Sequence, residues 1–264
     1  MIYVTGDIHG DLKRFSKKWF PEQKEMSRDD YMIILGDFGV IWDRKESEEE
    51  KYNLDILANR SYTTLFIDGN HENHDRLASF PVKEWHGGMV HEIRTNVLHL
   101  MRAQIYTIDG KTFFTFGGAA SHDIAGCADK EELKKDYTAG VLRRDDPDFL
   151  NKIRHCKRYL LCYRIEGESW WRREMPSGEE MEAGRKKLES AGWKVDYVLT
   201  HEGPSSTLDE LSDGAIPPDR LSEYLESLKQ RLQYKTWYFG HHHDDLTVTE
   251  RDILLYTNIV QIDD

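Results

Sequence analysis

The stretch Ile2-Tyr3-Val4-Thr5-Gly6-Asp7-Ile8-His9-Gly10 sets the terms for the whole chain. Ile2 to Thr5 is a short apolar, β-branched run that ends at a glycine, which predicts a strand. A carboxylate and an imidazole follow at once, Asp7 and His9, before a second glycine. The carboxyl ends of strands in α/β sheets are where sites are built, and glycine there lets the backbone turn sharply. The same grammar recurs along the chain. Tyr31 to Leu35 runs into Gly36-Asp37, and Thr64 to Ile67 runs through Asp68 into Gly69-Asn70-His71-Glu72. Val195 to Thr200 runs into His201, and Thr236 to Phe239 into Gly240-His241-His242-His243.

Helical patterns fall between these strands. Asp11 to Phe20 carries Leu12, Phe15, Trp19 and Phe20 at helical spacing and is stopped by Pro21. Glu46 to Ala58 has an acidic first turn that suits the helix dipole. Ser177 to Ala191 has capping-box spacing at Ser177 and Glu180, with Gly192 as its stop. Asp219 to Leu232 starts after Pro217-Pro218. Gln104 to Ile108 and Thr112 to Phe116 flank Asp109-Gly110, a hairpin signal, and Leu246 to Thr249 and Ile253 to Thr257 read as late strands. The alternation predicts an α/β layered fold with a largely parallel core. No repeat or linker interrupts it, so residues 1–264 are expected to form one domain, with a loop-and-helix insertion at about 121–176.

Composition excludes some classes of function. No window approaches the roughly 18 consecutive apolar residues of a membrane-spanning helix. The opening MIYVTGDIHG has no basic segment followed by an apolar one, so no signal peptide is expected there. Lys plus Arg is 36 and Asp plus Glu is 48, a net charge of 36 − 48 = −12, which disfavours a non-specific nucleic-acid binder. Cys127, Cys156 and Cys162 show no CxxC spacing and are read as reduced thiols of a cytoplasmic protein.

The residues at the strand ends suggest metal chemistry. Asp7 and His9 are two apart, as are His241 and His243, so on extended backbone each pair points one way. Carboxylate, amide oxygen and imidazole together suit Mn²⁺, Fe or Zn²⁺. Asp7, His9, Asp37, Asn70, His201, His241 and His243 are too many donors for one tetrahedral ion. Two ions about 3.5–4 Å apart, sharing a carboxylate, would use them and could clamp an in-line displacement at phosphorus.

In order and spacing, GDIHG, the Gly36-Asp37 pair, GNHE, Thr200-His201 and GHHH resemble the motifs of the calcineurin-like metallophosphoesterases, of bacterial or phage type. The resemblance spans Asp7 to His243. It implies two mixed β-sheets packed as a sandwich and flanked by α-helices, with two divalent metal ions at one edge. Mn is favoured, with Fe, Zn, Ni or Mg as alternatives. By the same resemblance Asp7, His9, Asp37 and His243 bind one ion. Asp37, Asn70, His201 and His241 bind the other, with Asp37 bridging. His71 matches the catalytic histidine, which protonates or stabilises the leaving oxygen, and metal-bound hydroxide is the nucleophile. The implied function is hydrolysis of a phosphate ester.

The second motif departs from the phosphoprotein phosphatase pattern GD-x-x-D-R-G. The chain has Gly36-Asp37-Phe38-Gly39-Val40, with Val40 where that branch has an acid. This tilts the expected substrate towards a small phosphate ester or nucleotide rather than a phosphoprotein. Asp43 or Glu72 is then a candidate to orient His71, and Arg44 or Arg76 to hold phosphate. A nuclease of the same fold and a non-catalytic scaffold are the alternatives.

Other features are read more plainly. His242 should point away from its neighbours and be structural, and His74, His86, His91, His99 and His155 are read as ordinary surface or partly buried histidines. His122 follows Gly117-Gly118-Ala119-Ala120-Ser121, where a glycine pair allows close approach to a pocket. Between Arg143 and Arg173 nine basic residues face five acidic ones, a local +4, with Tyr159, Tyr163, Trp170 and Trp171 interleaved. This is either a lid that grips phosphate and stacks a base or a solvated face whose aromatics pack on the core, and the second is favoured.

Overall fold

A computed structural model describes residues 1–262. Its logic is visible in β2 (Tyr31–Leu35), where every residue is buried. Tyr31, Ile33 and Leu35 enter one core while Met32 and Ile34 enter another, as the two-residue period of a strand requires. A strand covered on both faces must be apolar throughout. β1 (Ile2–Thr5) and β3 (Thr63–Ile67) flank β2 in parallel register. β6 (Val97–Leu100) pairs in parallel with β3, and β5 (Gly88–Arg94) and β4 (Val82–Trp85) extend that edge antiparallel. β13 (Ile259–Gln261) closes the opposite edge against β1.

The second sheet has the order β11 (Leu246–Thr247), β12 (Asp252–Leu254), β10 (Thr236–Phe239), β9 (Tyr197–Thr200), β8 (Lys111–Phe116) and β7 (Gln104–Ile108). Its four inner strands are parallel and its two edges antiparallel. The sheets pack face to face: Ile33, Leu35 and Leu65 meet Tyr106, Phe113, Tyr197 and Leu199 in one core. Helices cover the outer faces. α1 (Glu48–Ala58) adds Leu54 and Leu57 to Met32, Ile34 and Phe66. Beyond α2 (His74–Leu77), residues 121–176 carry α3 (Lys130–Lys135) and α4 (Phe149–Tyr159). α5 (Gly178–Ser190), α6 (Ser205–Ser212) and α7 (Arg220–Lys229) pack Met181, Leu188, Leu208, Leu221 and Leu225 on Phe114, Val198 and Trp237. The fold is the expected sandwich of two mixed sheets flanked by helices. Among the described residues no helix is long and apolar enough to cross a membrane.

Two differences from the sequence pattern have physical causes. Asp11 to Phe20 is not a helix; only Lys13–Phe15 forms a 3₁₀ turn. Side chains there take the bonds a helix would make. Gln23 donates to the carbonyls of Phe15 and Phe20 at 3.0 and 2.6 Å, and Asp11 accepts from the Lys13 amide at 2.9 Å. Phe15 and Phe20 are buried but Trp19 is 68% exposed, so the apparent apolar stripe was never a single face. β4, β5, β6 and β13 lie in sequence that shows no clean strand signal. β4 and β13 are short edge strands of mixed burial, and β5 carries a bulge between Glu92 and Arg94.

The buried aromatics between the sheets set the stability of the sandwich. Phe113 is fully buried and stacks on Tyr197 at 5.1 Å between ring centroids. Phe113→Ala is expected to cost about 3–5 kcal/mol, whereas Leu246→Ala at an exposed edge should stay within about 0.5 kcal/mol. Urea unfolding of the two variants measures this, and similar losses would contradict the inter-sheet core as the main support.

Candidate metal centre

The strand ends deliver their side chains through turns, not through strand alternation. Asp7 and His9 lie beyond the end of β1, and His241 and His243 beyond the end of β10. His9, Asp37, His241 and His243 have φ of 46°, 43°, 70° and 51°. That is left-handed backbone, uncommon for non-glycine residues. The pairs therefore converge by sharp local turns, which corrects the expectation of extended i, i+2 geometry. Glycines make room for this. A Cβ on Gly36, at φ +91°, would sit 2.3 Å from His201 Nδ1, and one on Gly240 would sit 2.4 Å from Asp7 Oδ1.

Two groups of donors result, and Asp37 belongs to both. Ligand atoms of Asp7, His9, Asp37 and His243 lie within 4.8 Å of one another, and so do those of Asp37, His201 and His241. In the first group His9 Nε2 is 3.0 Å from His243 Nε2 and 3.7 Å from Asp37 Oδ2. In the second, His201 Nε2 is 3.3 Å from Asp37 Oδ1 and 3.3 Å from Asn70 Oδ1. The first group is partly open, since the His9 and His243 side chains are 34% and 47% exposed; Asp7, Asp37 and His201 are buried.

The electrostatics fit a cation. Burial alone would raise the Asp37 carboxyl, but His201 beside it reverses this and holds it well below the usual range. Burial would likewise depress His201, but Asp37 and Asp7 outweigh it and raise it to about 10. Asp7 Oδ2 is buried and accepts no hydrogen bond. His243 Nε2 lies 3.2 Å from it, and that carboxylate holds the His243 ring above the ordinary histidine range. Burial pushes His9 down, and pushes His241 down to about 3, leaving both rings neutral. Two carboxylates and four imidazoles gathered around shared points could hold a divalent ion, which would take the place of the proton that Asp37 and Asp7 hold on His201.

His71 sits at the lip. Its amide donates to Asp37 Oδ1 at 2.8 Å, and its ring meets that of His9 edge-on at 5.2 Å. Trp42 stacks on its other side at 5.8 Å. Burial holds His71 below the ordinary histidine range, with Asp37 pulling the other way. Glu72 does not face His71. It is buried and accepts from the amides of Phe38 and Gly39 at 2.7 and 3.4 Å, which braces the loop bearing Asp37. Asp43 uses its carbonyl to accept from Asn73 and Arg76. The two arginines expected at the phosphate are engaged elsewhere: Arg44 pairs with Glu168 at 2.7 Å, and Arg76 forks onto the buried carboxylate of Glu50.

Sequence reasoning missed a supporting layer. Ser121 donates to Glu174 Oε2 at 2.6 Å and accepts from Asn70 Nδ2 at 3.2 Å. With its nitrogen committed to Ser121, the Asn70 amide must turn its oxygen towards His201. Residues 121 and 174 are far apart in sequence, and nothing in their local pattern marks them. His122 was the legible part: its Nε2 is 2.9 Å from His241 Nε2. His242 turns away from the cluster as expected and bonds Glu202 at 2.8 Å. His74, His91 and His99, read as ordinary, are instead buried around Asp68; His99 Nε2 is 3.2 Å from that carboxylate, which Arg102 also clamps.

Burial pushes the Glu174 carboxyl up to about 7 from its ordinary value of 4.5. Between these values the folded chain keeps a proton that the unfolded chain has released. Metal-free protein therefore loses stability from this group as pH rises from 4.5 towards 7. Glu174→Gln should remove that component, worth up to about 3 kcal/mol. Chemical unfolding across this range reads it, and parallel pH profiles for the two proteins would refute the buried neutral acid.

The family model for calcineurin-like phosphoesterases matches residues 1–245. No curated protein matches the chain at a significant level. The matched span contains both donor groups and His71. The order of the motifs, the two mixed sheets and this match agree, and the chain belongs to the calcineurin-like phosphoesterase family.

Proposed function

We propose that the chain hydrolyses phosphate esters at a centre of two divalent ions, with a small phosphate ester or nucleotide as substrate rather than a phosphoprotein. The observation that carries this is Asp37, whose two oxygens face two different donor groups. Asp7, His9, Asp37 and His243 would hold one ion, and Asp37, Asn70, His201 and His241 the other. Mn is favoured for this mixture of oxygen and nitrogen donors, with Fe, Zn, Ni or Mg as alternatives. Bound ions would make water nucleophilic near neutral pH and neutralise charge on the phosphoryl oxygens.

The chain's own residues then have distinct tasks. Hydrolysis breaks the P–O bond to the leaving group, and that oxygen must gain a proton. His71 is assigned to supply it or to stabilise that oxygen as charge develops, held by the hydrogen bond from its amide to Asp37 and by the face of Trp42. Asp7 accepts the His241 amide at 3.0 Å, which ties the loop after β10 to the loop after β1. Arg14 fixes the latter by donating to the Asp7 carbonyl at 2.7 Å. The three free cysteines and the absence, among the described residues, of a membrane-spanning helix support a cytoplasmic location.

Metal-stripped protein should be inactive on p-nitrophenyl phosphate and bis-p-nitrophenyl phosphate, and Mn²⁺, Zn²⁺, Ni²⁺ or Mg²⁺ added singly should show which ion restores turnover. Asp37→Asn should abolish activity and reduce the ions bound per chain, read by calorimetric titration. His71→Ala should keep its ions but lose about 10²–10⁴ in kcat. Two bound ions with no turnover of any ester would sink the proposal.

A further inference from the structure

A cleft of about 1420 Å³ opens beside the metal centre. Ordinary small-ligand sites are roughly 300–1,000 Å³, so there is room for more than a phosphate. His122 and Glu202 line the cleft, and both approach His241, at 2.9 and 3.8 Å. The cleft therefore begins at the second donor group. Trp171, also in its wall, meets Trp42 edge-on at 5.5 Å, and Trp42 stacks on His71. This wall thus connects to the residue assigned to protonate the leaving oxygen.

The lining has two chemistries. Tyr137, Trp171, Ile216 and Pro217 give flat or apolar surface. Arg172, Arg173 and Arg220 are exposed at the cleft, and among the described residues none of the three forms an ion pair. Most of the cleft's acids have polar partners. Asp68 and Glu180 bind Arg102, Glu166 binds Arg143, Glu202 binds His242, and Asp219 caps α7. Asp75 remains, and it is exposed. The lining carries both signs, six carboxylates and four arginines, and among the described residues Arg172, Arg173 and Arg220 are the guanidinium groups in it without an ion-pair partner. A guanidinium without an ion-pair partner presents a planar fork of N–H donors that fits an oxyanion such as a carboxylate or phosphate.

We propose that this cleft receives the leaving group of the substrate, and that this group has an aromatic ring and a negative charge of its own. The substrate is then an organic phosphate ester with a second anionic group beyond the scissile phosphate. The inference rests on the phosphoesterase function proposed above. Residues 121–176 contribute through Trp171, Arg172 and Arg173, even though Trp170 packs with Ile124 and Val141 in a small core as a solvated face would require. The ring stacks against Tyr137 or Trp171, and the arginines meet the distal charge.

The test compares 2-naphthyl phosphate with the same ester carrying a 6-sulfonate, which adds one permanent anion and no second scissile bond. Each exposed arginine–anion pair contributes up to about fivefold, so two or three acting together should favour the sulfonated ester by about tenfold in kcat/KM. In Arg172→Ala/Arg173→Ala the ratio should fall to about twofold or less, with a smaller fall in Arg220→Ala. Equal rates for the two esters in the wild type, or a ratio unchanged in the variants, would overturn the proposal. Binding of 6-hydroxynaphthalene-2-sulfonate, followed by naphthalene fluorescence, examines the cleft without turnover. Binding that is lost in the double arginine variant, in protein inert to p-nitrophenyl phosphate, would keep the cleft and reject the esterase. Turnover of p-nitrophenyl phosphate with no binding of the sulfonate would do the reverse.

Discussion

Two carboxylates, Asp7 and Asp37, are buried side by side at the edge where the sheets meet, and the rest of the centre answers to them. Ionised groups out of water need a compensating charge and full hydrogen bonding. The main chain gives each one donor, the His241 amide to Asp7 and the His71 amide to Asp37. That leaves Asp7 Oδ2 without a hydrogen bond. His201, caught between the two, rises to about 10 because a proton there is the nearest available cation. A divalent ion meets the same demand with more charge and several ligand bonds at once. The pull on His201 and the family's use of metal are two consequences of one arrangement of charge.

That arrangement is held in strained backbone. His9, Asp37, His241 and His243 all take left-handed φ, a conformation that costs non-glycine residues of order 1–3 kcal/mol each. Such turns persist where surrounding structure over-determines them. Here the parallel strands β1, β2 and β10 are locked by ladders and by packing on both faces. Arg14 clamps the loop after β1, and Glu72 clamps the loop after β2 through the Phe38 and Gly39 amides. Local strain at the ligands and rigidity in the sheets are thus complementary. A looser sandwich would let the turns relax and the donors separate.

How much of this was legible depended on whether a residue's role followed from its neighbours in sequence. The parallel strands β1, β2, β3, β9 and β10 were legible because burial on both faces demands continuous apolar runs, and β1, β2 and β10 run straight into a glycine. The seven candidate donors could be named from the sequence because the strand-end motifs place them in order, and the structure gathers six of them into two groups. Arg76 shows the limit: its proximity to His71 in sequence suggested phosphate, but its guanidinium is forked onto Glu50. Glu72 shows another, since adjacency to His71 says nothing about which way a buried carboxylate turns. The Asn70–Ser121–Glu174 chain joins three distant segments and could be seen only in three dimensions. The failed helix at Asp11 to Phe20 belongs with these cases, because Gln23 and Arg14 act on that segment from outside it or across it.

The division between legible and hidden residues follows a division of labour. The candidate metal donors come from turns at strand ends, where motif and fold coincide. Residues that orient those donors or face the cleft come from scattered segments, among them Arg14, Glu72, the stretch 121–176 and the start of α7. Function is grafted onto a scaffold that many activities share, so the scaffold's edge can carry constant chemistry while appended segments carry selectivity. In this chain the appended segment does both, because Glu174 braces Asn70 while its neighbours Arg172 and Arg173 face the cleft. The 3₁₀ turn Arg172–Glu174 thus joins the wall of the cleft to the hydrogen-bond chain that reaches Asn70 through Ser121.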